Sequence, residues 1–282
     1  MPGALMRHPR LSPSTRVVLL ASALCVLVGA PAASRQAAAP PPQQAPSGTS
    51  SKVWLGREQE FEDFLRTAPI VRERSIPVGV TRPRHVFFAP GGLVAGAVFK
   101  PLRPGLSHGF FESYESEIAA YELDKILELG MVPPTVERKY KNEIGSLQLW
   151  VERLERLKDK DPNQAPNVRD WNRQVYRHRV WDALTANIDR NAGNLLVDPA
   201  WNLILIDHSR AFTRDMRFPF PLTHIDRELL ARLRALDEAA IRAHMDRLLM
   251  DGPGPLLKRR DLIVKHFDQL VKQKGEAAVL VP

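Results

Sequence analysis

Asp189-Arg190-Asn191-Ala192-Gly193-Asn194 stands directly before Leu195-Leu196-Val197-Asp198, a Pro199-Ala200-Trp201-Asn202 turn and the run Leu203-Ile204-Leu205-Ile206-Asp207. Two short apolar runs around a turn predict a β-hairpin. An Asp and an Asn at DxxxxN spacing precede its first strand, and a second Asp ends its return strand 13 residues after Asn194. Three oxygen-bearing side chains are thereby expected at one edge. Hard divalent cations prefer such oxygens, and moving a phosphoryl group off a nucleoside triphosphate needs the cation plus a carboxylate that orients the acceptor hydroxyl. A DxxxxN text alone is what any helix-to-strand turn could carry. The later carboxylate, placed where the apolar run stops, sets this one apart.

Upstream, Trp171, Val175, Val180, Trp181 and Leu184 recur at spacings near three and four, so residues 168–186 predict a helix that ends on Asn187-Ile188-Asp189. Residues 84–88 and 93–100 read as strands around Ala89-Pro90-Gly91-Gly92, a hairpin signal. Lys100 closes the second of them on the face opposite Phe99. A helix over 113–129, stopped by Gly130, follows. Residues 131–136 and 147–152 read as further strands, with a turn at Asn142-Glu143-Ile144-Gly145. Phe61, Phe64 and Leu65 predict a short capping helix, and 226–273 three helices with leucine-rich faces. A sheet-rich half followed by a helical half makes the fold class α+β.

The loop and hairpin resemble the metal-binding hairpin of the protein-kinase-like superfamily. The texts here are Asn187-Ile188-Asp189 and Asp207-His208-Ser209 instead of the His-Arg-Asp and Asp-Phe-Gly of ordinary Ser/Thr kinases. Asp189-Arg190 followed by Asn194 is similar to phosphoinositide kinases and to bacterial HipA-like and spore-coat kinases, with Asn191 where phosphoinositide kinases usually carry His. The resemblance covers about residues 84–267. It implies a bilobal fold, ATP with Mg²⁺ or Mn²⁺, and a hydroxyl acceptor in a protein, lipid or small molecule. It gives Asp189 the acceptor's proton, Asn194 and Asp207 the metal, and Lys100 the phosphates, paired with Glu117 of the following helix. Glu152-Arg153-Leu154 would present backbone groups to the adenine. Phosphate cradles need glycine so that backbone N–H groups approach the anion, yet no GxGxxG occurs. Gly91-Gly92, with Gly96 after them, are the glycines at hand.

The N-terminus is a separate matter. Arg7, Arg10 and Arg16 precede an apolar run over 17–30, then Ala30-Pro31-Ala32 and a Pro/Ala/Gln-rich stretch. This layout predicts a signal peptide over 1–34 and export to the periplasm or beyond, with a retained inner-membrane anchor as the alternative. Residues 35–52 read as a disordered linker, 53–154 as the sheet lobe and 155–282 as the helical lobe bearing the catalytic loop. Cys25 is the only cysteine, so the mature chain holds no disulfide and no thiol chemistry. The net charge of +8 includes the three arginines of the signal. The mild excess that is left gives no case for nucleic acid as a partner, and the oligomeric state is not legible. The histidines show no HExxH or paired metal spacing, and Ser209 has no GxSxG elbow, so zinc and serine-hydrolase chemistry are set aside. The alternative to an active kinase is a pseudokinase or nucleotide-binding module of the cell envelope.

Overall fold

The computed structural model describes residues 49–77, 83–107, 109–188 and 190–282. The predicted signal segment and nearly all of the predicted linker lie outside them.

A helix, α1 (Glu58–Thr67), is followed by three strands, β1 (Ile70–Ser75), β2 (Arg84–Phe88) and β3 (Gly96–Lys100). A small hairpin, β4 (Gly105–Ser107) with β5 (Phe110–Glu112), leads into α2 (Tyr114–Ile126), then β6 (Thr135–Tyr140) and β7 (Glu143–Leu149). All these strands but β4 and β5 form an antiparallel sheet ordered β1-β2-β3-β7-β6. Val86, Phe88, Ala97, Phe99, Leu147 and Leu149 are buried with Trp54, Phe61 and Leu65 of the α1 region, so α1 covers one face of the sheet. Alternation along β3 leaves Val98 and Lys100 for the other face.

β1 has no counterpart in the sequence reading, because its burial pattern is mixed and mostly exposed. The β6–β7 turn falls at Lys141-Asn142, ahead of the expected place, and Gly145 lies inside β7. β3 likewise begins at Gly96, later than expected.

After β7 the chain leaves the sheet through residues 150–154, where Trp150 N–H donates to the Gly96 carbonyl at 3.2 Å and Arg153 takes φ +58°. It enters β8 (Glu155–Arg156) and then α3 (Val168–Thr185), whose first turn is capped by the Asn167 side chain accepting from Arg169 and Asp170 N–H. β9 (Leu195–Val197) and β10 (Leu203–Leu205) are the expected hairpin, and β8 adds to β9. β11 (Ile225–Asp226), α4 (Arg227–Ala235), α5 (Glu238–Met245), α6 (Gly254–Lys274) and β12 (Leu280–Val281) complete the chain. The second core joins Trp181, Leu184, Leu233, Ile241, Ile263 and Phe267 of these helices to Ile118, Tyr121 and Leu123 of α2. α2 also packs on β6 and β7, which ties the sheet to the helices.

Candidate active site

Lys100 ends β3, and Pro101, which has no N–H to donate, follows it. The neighbouring strand passes unusually close. A Cβ on Gly145 would stand 2.3 Å from the Lys100 carbonyl oxygen and 2.7 Å from Pro101 Cα, so only glycine lets β7 support Lys100 there. The Lys100 ammonium reaches two carboxylates, donating to Glu117 Oε1 at 2.6 Å and to Asp207 Oδ1 at 2.9 Å.

Glu117 is 1% exposed, in the first turn of α2. Four contacts hold that helix in place. Ser113 caps it by accepting from Glu115 N–H, while Ser113 N–H donates to the Ser209 carbonyl just past Asp207. At the other end Glu62 of α1 accepts from Lys125 at 2.6 Å and Tyr121 at 3.1 Å. The second Glu117 oxygen accepts from His208 N–H at 3.0 Å, so one carboxylate joins the β3 lysine to the backbone after Asp207.

Hairpin register brings Asn194 and Asp207 together. Leu195 pairs with Leu205, and Ile206 N–H donates to the Asn194 carbonyl at 3.2 Å, which leaves the two side chains facing at the hairpin mouth. Asn194 Nδ2 donates to Asp207 Oδ2 at 3.3 Å. Asp207 itself takes φ +61°, a left-handed backbone that costs about 1–3 kcal/mol for a residue other than glycine. The Lys100 ammonium holds its carboxyl down to about 2, against the cost of burial. In return, although burial opposes the charge, Asp207 and Glu117 raise Lys100 above its ordinary value.

Beneath the hairpin lies a buried hub that the sequence reading did not assign. Arg190, 1% exposed at its side chain, pairs with Asp182 of α3 at 3.0 Å. It also donates to the Asn194 carbonyl at 3.2 Å, to the Ile206 carbonyl at 2.6 Å and to His208 Nε2 at 2.9 Å. Trp181 Nε1–H donates to the same imidazole nitrogen at 3.1 Å. Two obligatory donors on Nε2 fix His208 as the neutral tautomer protonated at Nδ1. Burial and the Arg190 charge push its pKa well below the ordinary value, in the same sense. One guanidinium thus fastens the loop before β9, the strand before Asp207 and the residue after it to α3. A signal existed: Asp182 is a charge within the apolar Trp181–Leu184 run, and Arg190 is in the motif itself.

The structure therefore brings Lys100, Glu117, Asn194 and Asp207 into one group. Asp189 lies outside the described residues. Glu152 is exposed in the segment between β7 and β8. Gly91-Gly92 are not brought to the group, which corrects the expectation of a phosphate cradle there. They lie in the turn that starts β3, whereas Lys100 ends it, a strand length of about 13 Å away. Gly92 packs instead against the Phe64 ring of α1. The connection at the Lys100 end is the one between β1 and β2: Ser75 pairs with Arg84, Arg84 with Phe99, and Ile76 N–H donates to the Pro83 carbonyl at 2.9 Å. Residues 78–82 of that connection lie outside the described set.

Among the described residues no group of three His, Cys, Asp or Glu side chains forms a metal cage. One carboxylate beside one amide is nonetheless a fitting donor set for Mg²⁺ or Mn²⁺, which are held through one or two carboxylates with waters and substrate phosphates.

No protein-family profile matches the chain, and no curated protein matches it either. Solved structures do. The chain is similar to a Golgi casein kinase with Mn/ADP bound, at TM-score 0.59 and 16% identity over 79% of this chain and 78% of that one. A second structure of the Golgi casein kinase gives TM-score 0.58 and 17% identity over the same shares. Hydra Fam20 with sugar gives 0.61 and 16% over 79% of this chain and 91% of that one. The fold is kinase-like. At such identities the likeness establishes the α+β architecture, a sheet-rich first part joined to a helical second part.

Proposed function

We propose that this protein is an atypical kinase that transfers the γ-phosphoryl group of ATP to a hydroxyl acceptor. The observation that carries the reading is the Lys100 ammonium bridging Glu117 and Asp207, with Asn194 on the other Asp207 oxygen. A lysine held by a buried glutamate is aimed for phosphate oxygens, and an acidic residue with an amide beside it suits the cation that travels with them. Mn/ADP bound to a Golgi casein kinase of this fold supports the same nucleotide and metal class here. The loop text of residues 189–194 supports a resemblance, within that class, to phosphoinositide and HipA-like or spore-coat kinases.

Glu117 would hold the Lys100 ammonium in place for the phosphates with the Asp207 carboxylate given over to the metal. Asn194 and Asp207 would hold Mg²⁺ or Mn²⁺, which supplies neutralisation of the phosphate charge when bound. Asp189 is assigned, from its place in the motif, to orient the acceptor hydroxyl and take its proton. Arg190 keeps the Asn194 and Asp207 ends of the hairpin in register. Export through the N-terminal segment is part of the proposal, and the mass of the native chain tests it. No helix among the described residues is long and apolar enough to cross a membrane.

The test is transfer from [γ-³²P]ATP with Mn²⁺ to protein, lipid and sugar fractions by the mature chain. Asp207→Ala is expected to abolish both metal-dependent nucleotide binding and transfer. Asp189→Asn should abolish transfer and leave nucleotide binding largely intact. Binding of ATP–Mn²⁺ without transfer to any fraction would leave a nucleotide-binding module in place of the enzyme.

A further inference from the structure

A cavity of about 350 Å³ lies on the far side of α3 and the β9–β10 hairpin from the Lys100 group, lined by Lys52, Trp171, Arg173, Arg177, Trp201 and Asn202. Its residues come from the first half of α3 and from the turn of the hairpin, whereas the catalytic loop is at the other end of both. From Arg173 to the end of α3 is about 20 Å of helix. The segment before α1 is strapped across it: Asp198, fully buried, accepts from Ser51 N–H at 2.8 Å and from Ser50 Oγ at 3.2 Å. That strap places the half-buried Lys52 on the cavity wall.

The groups left over in this cavity are cationic donors. Asp198 is filled, since it also accepts from Ala200 N–H, Asn202 N–H and Asn202 Nδ2. Asp170, on the cavity wall, accepts from the Asn167 side chain, and Asp124, behind it, accepts from Met131 N–H and Val132 N–H at 3.0 and 3.3 Å. None of these carboxylates lies within ion-pair distance of the Lys52 ammonium, which has no hydrogen bond among the described residues. Arg177 is engaged by Asp226 at 2.6 Å. Arg173 has only Asp170, at 3.7 Å, and its buried Nε–H has no partner. Gln174 is spent on the Trp201 carbonyl and Leu203 N–H. Lys52 and Arg173 thus carry charge on the cavity wall that no carboxylate there answers at close range, so an acceptor with negative charge is what the cavity lacks. Burial lowers Lys52 to about 8 despite the attraction of Asp124 and Asp198, the direction expected of an ammonium short of a counter-charge.

We propose that this cavity is a binding site for a small organic phosphate, separate from the nucleotide cleft. Lys52 and the Arg173 guanidinium, both on the cavity wall, are the two cations for the dianion. A phosphate, with two charges and several acceptor oxygens, answers both cations at once, which a carboxylate does not. The cavity is several times the roughly 30 Å³ share of a water molecule, and Trp171 and Trp201, packed edge to face at 5.5 Å, offer apolar surface for the rest of the ligand. The site does not depend on the kinase reading.

Calorimetric titration of the full chain with glucose 6-phosphate, and with glucose and inorganic phosphate as separate probes, tests this. One equivalent of glucose 6-phosphate is expected to bind, and free glucose not at all. Lys52→Met should weaken that binding at least tenfold and Arg173→Gln about fivefold, while Lys100→Met, which removes the phosphate contact of the cleft, should leave it in place. Arg173 is at the partly exposed mouth, so its variant keeps the question open to an answer if Lys52→Met fails to fold. Unchanged affinity in a folded Arg173→Gln or Lys52→Met protein, or loss of binding through Lys100→Met alone, would overturn the proposal. Equal binding of inorganic phosphate would remove the organic body from it.

Discussion

Removing Lys100 should affect the bare metal ion and the metal–nucleotide complex in opposite directions. In this arrangement the Lys100 ammonium sits 2.9 Å from Asp207 Oδ1, on an oxygen that the divalent cation also needs. Unit charges at that separation attract by about 6 kcal/mol at an effective dielectric of 20 and by about 1.4 kcal/mol with the screening of water. Lys100 is 13% exposed and the Asp207 side chain 40%, so the pair belongs between these limits. Desolvation removes much of the gross attraction, and a charged hydrogen bond nets about 1.5–3 kcal/mol. Lys100→Met therefore removes a competitor of that size, and Mn²⁺ affinity without nucleotide should rise about ten- to hundredfold. Affinity for Mn²⁺–ADP should fall, because the phosphates lose the lysine. Paramagnetic resonance of free Mn²⁺, titrated with and without ADP, reads both. The variant leaves Glu117 buried with a negative charge that could itself attract the ion, so Lys100→Met with Glu117→Gln serves as the control and should show the same rise. Mn²⁺ binding that is unchanged or weaker in both proteins would refute the shared-oxygen reasoning.

Arg190→Met should cost about 3–5 kcal/mol in urea unfolding, since it strands the buried Asp182 carboxylate, and adding Asp182→Asn should recover part of that loss. An additive double-mutant cycle would contradict the hub. Gly145→Ala should cost about 3 kcal/mol, because its Cβ would meet the Lys100 carbonyl and Pro101 backbone, not a movable side chain; wild-type stability in thermal unfolding would show that β7 can shift. Burial and the Arg190 and Arg179 charges lower His178 to about 3, so it is neutral in the folded state at neutral pH while its unfolded value is near 6.5. The unfolded chain then binds the extra proton between those values, so stability is full above about pH 6.5 and falls as pH drops toward 3, by up to about 4–5 kcal/mol. His178→Gln should flatten that slope in urea midpoints taken across the window.

How far the sequence could be read depended on whether burial left a period in it. The β9–β10 hairpin and α3 carry apolar runs, and both formed where expected. β1 carries none: Val71, Arg72, Ser75 and their neighbours are largely exposed at the sheet edge, so Ile70–Ser75 offered no alternation to detect. Lys100 and Glu117 were found as an ion pair because a strand-ending lysine and a glutamate in the next helix is a pattern of residue types. The Asp207 contact to the same ammonium was not, because it links residues 107 positions apart. The Gly91-Gly92 expectation failed for a reason that residue type conceals and chain direction reveals. A strand that ends on Lys100 begins at the opposite end of its own length, so the turn before it cannot also stand beside Lys100.

The same reasoning explains why the partners of Arg190 were not legible, although Asp182 stood out as a charge in an apolar run and Arg190 lies inside the most informative motif. Its partners are two backbone carbonyls, a neighbouring helix and an imidazole, and none of these has a fixed spacing in sequence. Catalytic side chains are read from the chemistry they must perform. The group that positions them is set by which backbone atoms the fold leaves unsatisfied. Where the β9–β10 ladder ends before Asp207, the Asn194 carbonyl accepts from Ile206 N–H with one lone pair and has the other to offer, and the Ile206 carbonyl lies past the last ladder pair. A long, permanently charged side chain with several donors, held by a buried carboxylate, can meet both at once. That geometry makes Arg190→Lys a poor substitute, since one ammonium cannot span two carbonyls, an imidazole and Asp182, and the Asn194–Asp207 contact at 3.3 Å should loosen first.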